Sequence, residues 1–434
     1  MTAEGDMAEG AKPAGRSRSR VLLLVAVVVA SAVGVALLVR GCGKRSPEVP
    51  LGAASAERSD HEFALELYRQ LANRSVHRNI FCSPYSVTSA MAVPYTGAGG
   101  NTATQMTRAL RSPGDPAEQL SRCITLKHAL GVGGKSEKGS PELGVADATW
   151  VQKGFPVLPA FDQLLKTSGA QALRTEDFRG DPAGAAGRIN AWVSEKTGGK
   201  IPAMIGSGEM GEATRMVVAS AIYFKAGWKT TFAPIMTRPL PFVTSTRERI
   251  EVPTMWQKEW YRLVERNDME MLDLPYVGER LSMVIFLPRS ERGLPELEQR
   301  MVSGALGKWL KAVDAEEKSE AVVFLPRFEM ATRYDLRKAL TAMGMPDAFD
   351  PAKADFTGIS GEQLFLGKVL HRAYVRVDEM GTEATAATMP FIIADDDDEP
   401  DLFRADHPFV FLIRDKRTGS ILFMGRVTDP RGDR

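Results

Sequence analysis

The residue types that do chemistry are present but scattered. Five histidines and three cysteines, Cys42, Cys82 and Cys123, occur in 434 residues, with no CxxC pair. That number and spacing give neither a disulfide framework nor a zinc ribbon. Cys82 lies in an apolar run and reads as a small buried side chain. His61-Glu62 starts like a zinc-protease helix, but position 65 is Leu65 and the second histidine is missing. Gly133-Gly134-Lys135-Ser136 ends like a phosphate loop, yet Ala129 stands where the leading glycine belongs. There is no GxSxG elbow, and no Ser, His and Asp follow a triad order. The chain does not read as an enzyme, and no metal or cofactor is called for.

The segment with unusual chemistry is 378–408. Small residues run through Asp378-Glu379-Met380-Gly381-Thr382-Glu383-Ala384-Thr385-Ala386-Ala387-Thr388. Met389-Pro390-Phe391-Ile392-Ile393-Ala394 follows, then the acidic Asp395-Asp396-Asp397-Asp398-Glu399-Pro400. That makes roughly thirty residues with no home in a strand or helix, a length that in a compact domain marks function or disorder. Small and β-branched side chains can leave a loop and enter a strand with little steric cost. The plainer reading is a helix over Thr382 to Thr388 and an acidic linker.

Around this segment the chain is ordinary. Charged residues make up 25% and hydrophobic residues 44%, as in globular domains. The net charge of +1 gives no attraction to polyanions, which argues against nucleic-acid binding. The N-terminus is different. Residues 1–20 end in Arg16-Ser17-Arg18-Ser19-Arg20, and Val21 to Val39 carries no charge. A helix of that length spans about 30 Å, the thickness of a bilayer core. The flanking arginines predict a single-pass anchor with its N-terminus inside. Ala30-Ser31-Ala32 has the form of a signal-peptidase site, which would instead release a secreted protein. A lipid-attachment site at Cys42 is disfavoured by Arg40. In each case the body lies outside the cytoplasm. Residues 40–57 read as a flexible tether and 58–430 as the globular body.

Within the body, a helix opens near Asp60, with apolar positions 63, 64, 67, 68 and 71 at helical spacing. A short strand covers Ile80 to Cys82, and helices restart at Ser86 and at Asn190. Strands are expected at Val217 to Phe224, Leu281 to Leu287, Ala321 to Leu325, Leu364 to Leu366, Tyr374 to Val377, Phe409 to Ile413 and Ile421 to Val427. Leu294 to Leu310 and Tyr334 to Met343 read as helices. Helices early and strands late make an α+β pattern.

The segment from Glu379 resembles the hinge and reactive-centre loop of the serpins, a family of irreversible protease inhibitors. Glu379, Gly381, Thr382, Glu383, Ala384, Thr385, Ala386, Ala387 and Thr388 occupy the hinge positions. Further resemblances run along the body in family order. They are Asn79-Ile80-Phe81-Cys82-Ser83-Pro84-Tyr85-Ser86, Asn190-Ala191-Trp192-Val193 with Thr197, Ala221 to Trp228, Leu325-Pro326-Arg327-Phe328, Asp406-His407-Pro408-Phe409 and Gly419 to Val427. The whole is similar to prokaryotic members carrying an N-terminal membrane segment. The resemblance implies helices packed on a large, mostly antiparallel main sheet of five strands, smaller sheets, and an exposed loop over about 379–405. Ser83, Ser86, Ser220 and His371 match the shutter, where that sheet opens, and Trp228 the breach at its end. Ser220 departs from the family's usual Asn and has fewer hydrogen-bonding groups.

The mechanism implied is a trap. A serine or cysteine endopeptidase attacks the loop, forms an acyl-enzyme, and is carried across the molecule as the cut loop enters the sheet. The inhibitor would act as a monomer, with the protease as its covalent partner. Thr382, Ala384, Ala386 and Thr388 share one face of the inserting strand, and all are small. Pro390 continues that face and has no N–H for a ladder, which leaves a non-inhibitory binding or chaperone role as the alternative. At the family's spacing from Glu379 the scissile bond falls at Asp395–Asp396, shifting toward Asp397 if the loop is longer. Cleavage after Asp requires a cationic specificity pocket. The expected targets are glutamyl-endopeptidase-like or granzyme-like serine proteases, or caspase-like cysteine proteases. If the acids only keep the loop solvated, cleavage falls upstream, after Phe391 or Ile393.

Overall fold

The computed structural model describes residues 53–73, 77–112, 114–131, 141–170, 173–382 and 400–432. The segment Val21 to Val39, residues 1–20 and Cys42 lie outside them. Among the described residues no helix is long and apolar enough to cross a membrane. The elements run α1 (Ala53–Ala72), β1 (Ile80–Cys82), α2 (Pro84–Thr96), α3 (Gly100–Ala109), α4 (Pro116–Ala129), β2 (Glu142–Gln152), α5 (Pro159–Ser168), β3 (Arg174–Glu176) and α6 (Pro182–Lys196). Then come β4 (Met216–Gly227), β5 (Arg238–Val243), β6 (Arg249–Glu265), β7 (Met269–Pro275), β8 (Leu281–Pro288), α7 (Leu294–Arg300) and α8 (Leu306–Ala315). The chain ends with β9 (Ser319–Pro326), β10 (Phe328–Asp335), α9 (Arg337–Ala342), β11 (Leu366–Asp378), β12 (Gly381–Thr382), β13 (Asp401–Arg404), β14 (Phe409–Asp415) and β15 (Ile421–Val427).

The tether expected over 40–57 gives way to α1 at Ala53, where alanines favour helix. The single helix expected over Leu294 to Leu310 is broken at Met301–Ala305, because Gly304 takes φ 96, outside helical space. Tyr334 and Asp335 finish strand β10, and the helix expected from Tyr334 begins only at Arg337. The two strands expected at 364–366 and 374–377 are one continuous β11.

Two sheets build the body. One runs β10-β11-β12-β4-β2-β3, and in it β11 also pairs directly with β4. Five of its strands match the expected main sheet; β12 adds two residues at one end. β4 and β11 pair in parallel over Met216–Tyr223 and Leu366–Tyr374, whereas β4 and β2 are antiparallel. The second sheet runs β1-β15-β14-β8-β7-β6-β9-β13, with β5 beside β6. Between the two sheets lies an apolar layer that includes Phe224, Trp228, Tyr276, Phe411 and Phe423. Both faces of the central strands are covered. That is why β4 is buried almost throughout and reads as a continuous apolar run, not an alternating one.

Helix α6 lies on the outer face of the first sheet. Ile189 and Val193 pack on Ala146, Ala148, Ala219 and Ala221. The Asp181 carboxylate caps the helix by accepting from Gly184 N at 2.9 Å. Asn190 pins the following loop: its Oδ1 accepts from Met204 N and Ile205 N, and its Nδ2 donates to Ile205 O. Thr197 Oγ1 accepts from Ile201 N. These contacts explain why Asn190 and Thr197 stand at fixed spacing. Cys82 and Cys123 are buried and unbridged, and burial pushes both thiols up to about 12, so neither acts as a nucleophile near neutral pH.

Candidate functional site

The site is the seam between β4 and β11, with the hinge at one end and a polar cluster at its middle. At the hinge, the turn after β11 brings Gly381 and Thr382 back between the two strands. Thr382 pairs with Val377 of β11 and Ala226 of β4, and Gly381 with Asp378 and Gly227. Gly381 has φ 140, and a Cβ there would meet Ala226 O at 2.1 Å. Only glycine fits that approach. The Thr382 side chain is fully buried on the inner face, its Oγ1 within 2.9 Å of Tyr276 Oη.

Tyr276 stacks on Trp228 with ring centres 4.7 Å apart and planes 9° from parallel. Such a pair contributes about 1 kcal/mol beyond the area it buries. Trp228 Nε1 donates to Asp378 O at 2.9 Å, fixing the indole to the end of β11. Glu379 turns inward and is nearly buried. Its carboxylate accepts from Arg327 Nε at 2.7 Å and also from Arg327 Nη2 and Thr237 Oγ1. Burial alone would raise the Glu379 carboxyl; the Arg327 and Thr237 hydrogen bonds outweigh it and hold the group below the usual carboxylate range.

Farther along the seam, His371 of β11 stands opposite Ser220 of β4. Ser83 N donates to His371 Nε2 at 3.0 Å, so the ring proton sits on Nδ1. Nδ1 lies 3.1 Å from both Ser220 Oγ and Ser220 O. Ser83 caps α2 by accepting from Ser86 N at 3.1 Å, and its hydroxyl donates to Leu422 O at 2.6 Å. Ser86 Oγ donates to Asp147 Oδ1 at 2.7 Å and lies 2.7 Å from Ser220 Oγ. Serines and one histidine thereby tie α2 to β2, β4, β11 and β15. Burial lowers the His371 imidazole to about 4, so it stays neutral at ordinary pH. Burial raises the Asp147 carboxyl to about 7.

Ser83, Ser86, Ser220 and His371 are therefore in one hydrogen-bonded cluster, with Trp228, Glu379, Gly381 and Thr382 together at the end of the seam. Glu383, Ala384, Thr385, Ala386, Ala387 and Thr388, and the bond at Asp395, Asp396 or Asp397, lie outside the described residues. Sequence reasoning missed Asp147, Tyr276 and Thr237. Asp147 carries a signal: it is the lone carboxylate in the small and apolar run Val145 to Val151. Tyr276 and Thr237 carry none, because their hydrogen-bond partners are more than a hundred positions away. Among the described residues no group of His, Cys, Asp and Glu is arranged to hold a metal.

The family model described as serpin (serine protease inhibitor) matches residues 58–430. An uncharacterized serpin-like protein of Thermococcus kodakarensis is 38% identical over 376 residues, covering 86% of this chain and 85% of its own. The leukocyte elastase inhibitor of Homo sapiens is 37% identical over 377 residues, 85% of this chain and 97% of its own. Among solved structures, uncleaved ovalbumin superposes with a TM-score of 0.76 at 27% identity, covering 86% of this chain and 99% of that one. With the family model spanning most of the chain and relatives 38% and 37% identical matched over most of their own length, the chain belongs to the serpin family.

Proposed function

We propose that the protein is a suicide inhibitor of serine or cysteine endopeptidases and traps its target by inserting the cleaved loop between β4 and β11. The observation that supports this most directly is β12. Its two residues already pair with both strands, so a further strand finds ladder partners on both sides. The buried position of Thr382 agrees with small side chains on that face of the loop. Mixing the protein with candidate proteases and running denaturing gels tests the reading. A covalent complex is the expected result; release of cut inhibitor and active protease throughout would refute it.

The acidic run 395–399 favours a protease that cleaves after acidic residues, at Asp395, Asp396 or Asp397. Mass spectrometry of the released C-terminal fragment decides, since an N-terminus at Ile392 or Ala394 would assign an apolar specificity instead. Pro390 supports the second reading, a non-inhibitory binding or chaperone protein, because proline weakens a central strand. We place the inhibitor outside the cytoplasm, anchored through Val21 to Val39 on the strength of that uncharged run and its arginines. Cell fractionation with sequencing of the mature N-terminus tests this, and a soluble product starting near Val33 would show cleavage.

A further inference from the structure

A cavity of about 170 Å³ lies between α2, α4 and β2. Its walls are apolar, with Ala90 and Val93 from α2 and Leu120 and Ile124 from α4. β2 contributes Asp147 and Thr149, which are 8% and 3% exposed. Ser86 donates to Asp147 Oδ1, and the Ser89 and Ser220 hydroxyls also stand against the carboxyl group, but Asp147 Oδ2 and Thr149 Oγ1 are buried with no well-formed hydrogen bond of their own. A buried acceptor left unmatched costs about 1–3 kcal/mol, more for a charged one. The cavity, partly open to solvent, thus offers an acceptor pair beside a mainly apolar wall.

We propose that this cavity is a binding site for a small primary amine with an apolar body, its ammonium seated on the Asp147 carboxylate. The chemistry follows from what lines the space. The carboxylate oxygen calls for a cationic donor, the Thr149 hydroxyl accepts a second N–H, and the aliphatic side of the cavity suits an apolar body, while among the described residues no further carboxylate or imidazole joins Asp147 to hold a metal ion. A cavity of about 150 Å³ holds a benzene-sized body. An aromatic or cyclic amine of that size fits, and a peptide does not.

The charged and titratable surroundings are few. Tyr85, Ser86 and Ser89 face the carboxyl from α2, and Cys123, Lys127 and His128 line its α4 side. Ser220 stands on β4, with His371 beyond it on β11. Lys127 makes no ion pair with Asp147 among the described residues, so its charge does not occupy the acceptor. The site adjoins the seam without belonging to it. Asp147 is three hydrogen bonds from His371, through Ser86 and Ser220.

The test is thermal unfolding of the full chain with benzylamine, against benzyl alcohol at equal concentration. Benzylamine raises the midpoint and the alcohol does not. Apparent affinity falls about tenfold or more from pH 7.5 to pH 5.5, because the ammonium binds the carboxylate and not the neutral acid. The profile is repeated in His128→Gln, which keeps it. Asp147→Asn abolishes the benzylamine shift. Val93→Phe abolishes it too, by filling the cavity from α2 while leaving the carboxyl in place. Equal shifts with amine and alcohol, an affinity that ignores pH, or a shift that survives either substitution would overturn the assignment. If Asp147→Asn does not fold, Val93→Phe decides alone.

Discussion

The two ends of the β4–β11 seam are held by different physics. At the hinge, the strands are already parted by Gly381 and Thr382, and the surroundings are aromatic stacking and one ion pair. At the middle, β4 and β11 touch directly, and the contact is a chain of buried neutral hydroxyls meeting one neutral imidazole. If the loop enters as proposed, the first arrangement can re-form its apolar and ionic contacts around a guest strand. Under the same proposal the second would have to break specific hydrogen bonds before anything passed. The seam is open at one end and latched along its length.

The sharpest way to break this contrast is at the hinge. Thr382→Arg places a guanidinium where the side chain is fully buried. Burying it unpaired costs several kcal/mol. The variant is expected to leave the loop cleavable but to lose covalent complex by about tenfold or more on denaturing gels. Full retention of the complex would show that this face of the strand does not enter the sheet.

Next in size is Arg327→Ala. The arginine is half exposed, so its attraction is screened, but Glu379 is left nearly buried without its cation. Loss of about 1 kcal/mol, a fall of about 2–4 °C in unfolding midpoint, is expected at pH 7. The Glu379 carboxyl is held below its ordinary value. Its contribution is therefore present above the ordinary carboxylate range and disappears as pH falls through the lowered one. The wild-type advantage over Arg327→Ala should shrink toward pH 3, and an undiminished gap would dissociate it from the ion pair.

The latch carries two opposed pH effects. His371 is lowered to about 4, so from about pH 6.5 down to 4 the unfolded chain takes up its proton first and stability falls with acid. Asp147 is raised to about 7, so the folded chain takes up that proton first and stability falls as pH rises toward 7. Each substitution should uncover the other group. His371→Gln is expected to gain on wild type as pH drops to 4.5. Asp147→Asn should gain about 2 °C or more at pH 8 and nothing at pH 4.5. Unfolding midpoints across pH separate these outcomes, and parallel profiles would mean neither group titrates as placed.

Ser220→Ala should matter least. The contacts of Ser220 Oγ with His371 Nδ1 and Ser86 Oγ are lost, but Nδ1 keeps the Ser220 carbonyl at 3.1 Å and Ser86 keeps Asp147, so the cost stays at about 0.5–1.5 kcal/mol. The useful readout is the rate of complex formation, expected to rise as the latch loosens.

The segment from Glu379 stood out in the sequence because its small residues are consecutive, and the α+β arrangement was legible because several strands are unbroken apolar runs. The latch serines and His371 were legible only through resemblance. Strands β2, β3, β5, β6, β7, β10 and β13 were not recognised. β6 alternates over Arg249 to Thr254, where it pairs with β5, and loses the pattern where it passes to β9 and then to β7. Asp147 stayed hidden for a related reason: its significance depends on a cavity, and a cavity is made by elements distant in sequence.

The pairing of β12 also acts as a ruler. With Thr382 opposite Val377 and Ala226, each step along the loop moves one step back along both neighbours. Extended in that register, Ala384 would lie between Val375 and Phe224, and Ala386 between Ala373 and Ile222. Thr388 would then arrive between His371 and Ser220, the pair that face each other across the seam. A hydroxyl would be delivered at the position where a hydroxyl–imidazole contact has to be given up. Pro390 would come one inward-facing position later, beside Val369 and Val218. Whatever its missing N–H takes from the strand would be felt only after the latch has been exchanged, too late to decide whether the loop goes in.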